Sequence, residues 1–219
     1  MSKMAKPLII IALAIVIAGG AAFYMSKQSA GTAPVSGSSA AESLAPGGGR
    51  VRGPENARVT LVEFGDYQCP SCGYYAPIVD EMLHRYPKDV KLVFHHYPLV
   101  GIHPWAMPAA KAAEAAGDLG KFWEMHDMLY ANQEAWSRSP NAESIFLSFA
   151  AQIGLDNNRF MQSLRSPVVE QRVLEDVVRA REGKIDVTPT FFINGERVTS
   201  RPDTPDKFAE LIQAALRSK

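Results

Sequence analysis

The chain has 219 residues, 47% hydrophobic and 21% charged, with 23 basic side chains against 23 acidic ones. This is the composition of a globular protein long enough to build one real core. Its zero net charge gives no electrostatic footprint for nucleic acid, so no partner of that kind is expected.

Lys3 and Lys6 precede an uncharged run over residues 7–25, and Lys27 closes it. A helix of that length spans about 28 Å, close to the hydrocarbon thickness of a bilayer. The more basic flank is N-terminal, which predicts export of the remainder across an inner or plasma membrane, with the N-terminus cytoplasmic. Two readings stay open. Residues 1–25 form an uncleaved signal-anchor, favoured because Phe23, Tyr24 and Met25 extend the apolar run past the small residues. Alternatively, Leu8 to Ala18 is the core of a signal peptide cut near Gly19-Gly20-Ala21-Ala22, leaving a soluble periplasmic or secreted protein. No cysteine lies nearby to carry a lipid. Residues 26–53 are rich in Ser, Gly and Ala and read as a flexible linker with a reach of roughly 30 Å. Residues 54–219 form the folded domain.

The domain opens on a β-favouring run, Val59 to Phe64, that leads through a short turn into Cys69-Pro70-Ser71-Cys72, the only two cysteines in the chain. Cys69 falls where a helix begins, with Pro70 at its first position, where the missing N–H costs nothing. Positions i and i+3 share a helix face, so the two sulfurs can reach bonding distance. Unsatisfied backbone N–H groups and the helix dipole lower the pKa of Cys69, which is therefore the attacking sulfur. Cys72, one turn in, is the resolving one. A zinc site, a structural disulfide and a pair of inert thiols compete with this redox reading. Zinc needs two further ligands, and the five histidines form no His-x3–5-His pair. A loop this small constrains the unfolded chain little. Idle thiols are less plausible in an exported protein.

A helix to about Tyr86 and a second strand, Val90 to Tyr97, complete a parallel βαβ unit. Residues 103–181 then read as helix throughout: Pro104 to Ala116, Leu119 to Asn132, Glu143 to Ile153, a short helix capped by Asp156 or Asn157, and a last one begun by Ser166. Thr188 to Ile193 is a strand, Asn194-Gly195 a hairpin turn into Glu196-Arg197-Val198, and Thr204 or Asp206 caps a final amphipathic helix. His95 and His96 are read as packed or surface side chains, and Asp66, Tyr67 and Gln68 as the wall beside Cys69.

With Val62-Glu63-Phe64, Cys69-Pro70-Ser71-Cys72, Phe122-Trp123-Glu124-Met125-His126 and Val187-Thr188-Pro189-Thr190 in this order, the sequence resembles the DsbA-like thiol–disulfide oxidoreductases over about residues 54–219. The resemblance implies an α/β protein, a thioredoxin fold with an inserted all-helical subdomain, here preceded by a membrane segment and linker. It implies that Thr188–Pro189 is cis beside the cysteines and that Thr188 pairs with a substrate chain as an added strand. Tyr67, Pro70 and Ser71 join Thr188 and Pro189 as substrate-contacting residues. Glu63 matches the family's buried acid, which takes the proton of Cys72; the plainer reading has Glu63 paired with a buried lysine. Ser71 replaces the histidine of the best-known oxidant and Thr188 its valine, which argues against a strongly oxidising potential.

The expected function is an exported disulfide oxidase that donates the Cys69–Cys72 disulfide to reduced, unfolded polypeptides and is reoxidised by a quinone-linked membrane partner. No metal and no cofactor beyond that disulfide is called for. A reductase or isomerase kept reduced is the alternative, although isomerases carry a dimerisation module where this chain has a linker. A non-catalytic binder of unfolded chains is a third reading.

Overall fold

The computed structural model describes residues 48–200 and 202–218. The expected membrane segment and most of the linker lie outside the described residues. Among the described residues a five-stranded sheet has the order β1-β3-β2-β4-β5. The strands are β1 (Arg50–Arg52), β2 (Val59–Gly65), β3 (Val90–His96), β4 (Thr190–Ile193) and β5 (Glu196–Arg197). β2 and β3 are parallel, with Val59 opposite Val90 and Gly65 opposite His96, joined by helix α1 (Pro70–Arg85). The other pairings are antiparallel.

Between β3 and β4 the chain builds a helical layer: α2 (Ala106–Asp118), α3 (Phe122–Ala131), α4 (Gln133–Ser137), α5 (Ala142–Gln152), α6 (Asn157–Leu164) and α7 (Pro167–Glu182). Helix α8 (Pro205–Arg217) closes the fold. Side chains alternate along β2, so each face of the sheet has its own cover. Leu61 packs with Ile78 and Met82 of α1 and Phe208 and Ile212 of α8. Val62 and Phe64 pack with Ala180 of α7 and Ile185. Helix α2 is buried along most of its length, and its alanines let Phe146, Phe160 and Trp136 approach closely to form the insertion's own core. Asp156, Ser166 and Thr204 cap the helices expected of them, and Asn194 (φ 49°) with Gly195 (φ 86°) makes the hairpin turn.

The domain begins earlier than the sequence suggested. Arg50–Arg52, assigned to the linker, is a strand on the edge of β3, with Arg50 opposite Phe94. Nothing local signals a strand in Arg-Val-Arg; its partners are tertiary. Arg50 donates to the carboxylate of Glu114 on α2, and Arg52 meets Asp127 at 3.0 Å. Glu114 also accepts from Arg172 of α7 at 2.8 Å and bonds His96 at 3.2 Å. Against the cost of burial, the bonds from Arg50, His96 and Arg172 hold its carboxyl far below the usual range. One buried charge thus joins the sheet edge to the helical layer. The helix expected from Leu119 starts only at Phe122, after Gly120 turns the chain at φ 78°.

Candidate functional site

The site lies at the C-terminal end of β2, where α1 starts. Cys69 is the N-cap of α1 and Pro70 its first residue, as the sequence required. The Cys69 carbonyl accepts the first helical bond, from Gly73 N at 3.1 Å. Cys69 is 8% exposed and Cys72 fully buried, both as thiols. The Cys72 S–H donates to the Cys69 sulfur, and this bond is the largest cause that brings the Cys69 thiol down from 9.0 to about 5. Burial opposes it; Thr188 and the backbone N–H groups of Cys72 and Ser71 add to it. Burial pushes the Cys72 thiol well up, and the bond to Cys69 and the charge of Glu63 push it further. The pair is therefore asymmetric: one sulfur is a thiolate at neutral pH and the other its proton-holding neighbour. Ser71 contributes here through its backbone N–H, the smallest of these causes.

Thr188–Pro189 is cis, as the resemblance implied, and Thr188 O lies 3.5 Å from the Cys69 sulfur. Glu63 stands on the α1 side of β2, 2% exposed, with its Oε1 lacking a hydrogen-bond partner. Burial, and then the nearby Cys69 charge, raise its carboxyl from 4.5 to about 8. Among the described residues no lysine charge bears on it, so the plainer reading of a buried ion pair finds no partner there. A cavity of about 390 Å³ lies against Glu63 and extends to Arg52, Asp80 and Asp127 at the surface.

Pro70 is exposed and Ser71 and Pro189 half-buried around the Cys69 sulfur, where a substrate can touch them. Tyr67 is not. It is 1% exposed, its hydroxyl is bonded to His126 Nδ1 at 3.0 Å, and rings of Phe94 and Tyr130 pack on it. Its place as a substrate contact is corrected to one in the core, because four aromatic partners outcompete solvent for a large ring. Burial, with smaller effects from Arg52 and His96, lowers His126 to about 3, so the imidazole is neutral.

Residues outside the motif hold the turn. Asp66 accepts from Gln68 N (2.8 Å), Leu99 N (2.9 Å) and His103 (2.7 Å), and its own N–H points at the Cys72 sulfur at 3.4 Å. Gln133 of α4 donates to the carbonyls of Tyr67 (2.7 Å) and Cys69 (2.8 Å). No spacing rule could have found Gln133, since it meets the turn only through the packing of a different layer. His95 and His96 are packed against Asp176 and Glu114, away from the sulfurs. Among the described residues no group of three or more His, Cys, Asp or Glu side chains is arranged to hold a metal ion.

The family profile described as Thioredoxin matches residues 46–214. The chain belongs to the thioredoxin family. Its helical insertion gives it the fold of DsbA-type members. The chain superposes on oxidised BdbD from Bacillus subtilis with a TM-score of 0.67 and 25% identity, over 78% of this chain and 94% of that one. A thioredoxin-like oxidoreductase from Silicibacter pomeroyi DSS-3 matches with a TM-score of 0.66 and 25% identity, over 80% and 96%. Wolbachia pipientis alpha-DsbA1, at 16% identity, shares the fold with a TM-score of 0.72 over 82% and 97%. In sequence, 147 residues are 44% identical to the Na(+)/H(+) antiporter NhaA 1 of Salinispora arenicola, covering 67% of this chain and 22% of that protein. The antiporter NhaA of Herminiimonas arsenicoxydans is 36% identical over 153 residues, which are 70% of this chain and 23% of that one. The chain thus spans about a fifth of the length of these curated relatives.

Proposed function

We propose that this thioredoxin-family chain is an exported thiol–disulfide oxidoreductase that works as an oxidase. The observation that carries the reading is the pKa of Cys69, about 5 against 9.0 for a free thiol. A thiolate of that pKa favours the reduced pair at pH 7 by about 2.7 kcal/mol over thiols that titrate above neutrality. For a two-electron couple this makes the disulfide about 60 mV more oxidising.

In the forward step a substrate thiolate attacks the Cys69 sulfur of the Cys69–Cys72 disulfide. The S–S electron pair leaves on Cys72, which takes a proton from the protonated Glu63; the cavity beside Glu63 gives that carboxyl its exchange with solvent. A second substrate thiolate then attacks the substrate sulfur of the mixed disulfide. Cys69 departs as its stabilised thiolate. Substrate loses two electrons and the cysteine pair gains them. The substrates proposed are reduced, unfolded exported polypeptides, laid against Thr188 as an added strand. Reoxidation needs an external two-electron acceptor, proposed as a quinone-linked membrane protein. The uncharged run over residues 7–25 after Lys3 and Lys6 supports export and tethering.

The test is the reduction potential of the full chain, equilibrated with glutathione redox buffers. The oxidase reading expects a value above about −200 mV, and a value near −270 mV, about that of thioredoxin, would reverse the direction of electron flow. Cys69→Ser must abolish exchange, and Cys72→Ser must trap mixed disulfides; activity surviving Cys69→Ser would end the enzymatic reading.

A further inference from the structure

A second cavity, of about 270 Å³, is lined by Ser71 of the Cys69 turn and by Pro189 of the cis-proline loop. It therefore adjoins the path of any chain bonded to Cys69. Arg197, Thr199 and Ser200 also line it, among the apolar side chains of Val187, Phe191, Val198 and Pro202. No Asp or Glu lines it among the described residues. Glu196 does not line it, although it joins Arg197 in lining the neighbouring cavity. Arg197 is paired with Asp186 at 3.5 Å, and the Asp186 side chain is 82% exposed. A pair so long and so wet is readily exchanged for another carboxylate.

We infer that this cavity is a substrate subsite for an acidic side chain one or two residues from the reacting cysteine. The inference rests on the redox function proposed above and adds a substrate class to it. Among the lining residues the hydroxyls of Ser71, Thr199 and Ser200 and the guanidinium of Arg197 can donate to a carboxylate, which a lysine or arginine side chain could not use. A substrate chain pairing at Thr188 extends past Pro189 and Ser71, and successive side chains leave it on alternate faces, so one neighbour of the cysteine meets the cavity. Small apolar side chains are accommodated but gain nothing from Arg197.

The test measures affinity without exchange. Fluorescent peptides carry serine in place of the reacting cysteine and Asp, Asn or Lys at the flanking positions, and are titrated against the oxidised full chain by anisotropy. Asp peptides are expected to bind roughly fivefold more tightly than Lys peptides at low ionic strength, with the gap closing in high salt. Arg197→Ala is expected to remove the preference and Arg197→Glu to invert it, while Arg197→Lys retains part of it. Equal affinities for the Asp and Lys peptides, or a preference that survives Arg197→Ala, would overturn the subsite. The wild-type comparison and its salt dependence decide the matter even where a variant fails to fold. Oxidation of dithiothreitol by the wild-type disulfide is followed separately: its failure would count against the redox function and leave the peptide affinities to be read on their own.

Discussion

Replacing Glu63 by glutamine tests the reading of the site through stability. The carboxyl titrates near 4.5 when exposed and near 8 in the fold, because burial disfavours its charge. Between those values the unfolded chain has released the proton and the native chain holds it. The unfolded state therefore binds fewer protons, and stability falls as pH rises, by about 1.4 kcal/mol per pH unit. The loss accumulates to about 3 kcal/mol at pH 7 and about 5 kcal/mol above pH 8, and is absent below pH 4. Glu63→Gln carries no such proton. Its unfolding free energy, from urea titrations of the reduced full chain followed by tryptophan fluorescence, should draw ahead of wild type with rising pH and level off above about 8. A buried amide brings its own constant offset, so the slope is the diagnostic. A difference between the two proteins that does not change from pH 5 to pH 8 would refute the assignment. The same variant should slow formation and resolution of mixed disulfides near neutrality, since the proton of Cys72 loses its nearest exchange partner.

Glu114→Gln should act with the opposite pH dependence. The carboxylate is 4% exposed and joins Arg50, Arg172 and His96; the two arginines are about a third exposed and stay hydrated, so its loss is expected to cost about 1–3 kcal/mol. Its native carboxyl is held low, so that stabilisation is complete above pH 4.5 and fades as pH falls through the acid range; thermal melts should show the variant well below wild type at pH 7 and the gap narrowing in acid. Gly73→Ala ordinarily strengthens a helix by up to about 1 kcal/mol. Here the added methyl lies 2.5 Å from Gln133 Oε1, and Gln133 must leave the Tyr67 and Cys69 carbonyls. The expected net loss is about 1–2 kcal/mol, and in a double-mutant cycle with Gln133→Ala the two losses should not add. Additive losses would mean that Gln133 yields without giving up those bonds.

The parts of the fold set by local rules were legible in the sequence. Pro70 after Cys69, the caps at Asp156, Ser166 and Thr204, and Asn194-Gly195 each act within a few residues, and each stands where it was expected. What was missed depends on partners far along the chain. Arg50–Arg52 is a strand because Glu114 and Asp127 wait for its arginines. Tyr67, two residues from the reactive sulfur, looked accessible by position, yet its ring is claimed by Phe94, His126 and Tyr130. Glu63 was singled out by resemblance alone; that no described lysine neutralises it is a property of the packed site.

The two outer strands of the sheet have a bearing on the company this protein keeps. β1 is three residues long with an arginine at either end, its Val51 carbonyl is taken by Trp123 Nε1 at 3.0 Å, and β5 is only Glu196 and Arg197. Short, charged margins of this sort are poor templates for another extended chain. A protein that handles unfolded polypeptide at high local concentration is at risk of nucleating its own co-aggregates along any open sheet border. Here the two borders of the described sheet are blunted, and under the proposed function a client strand is directed instead to Thr188 and the sulfur of Cys69.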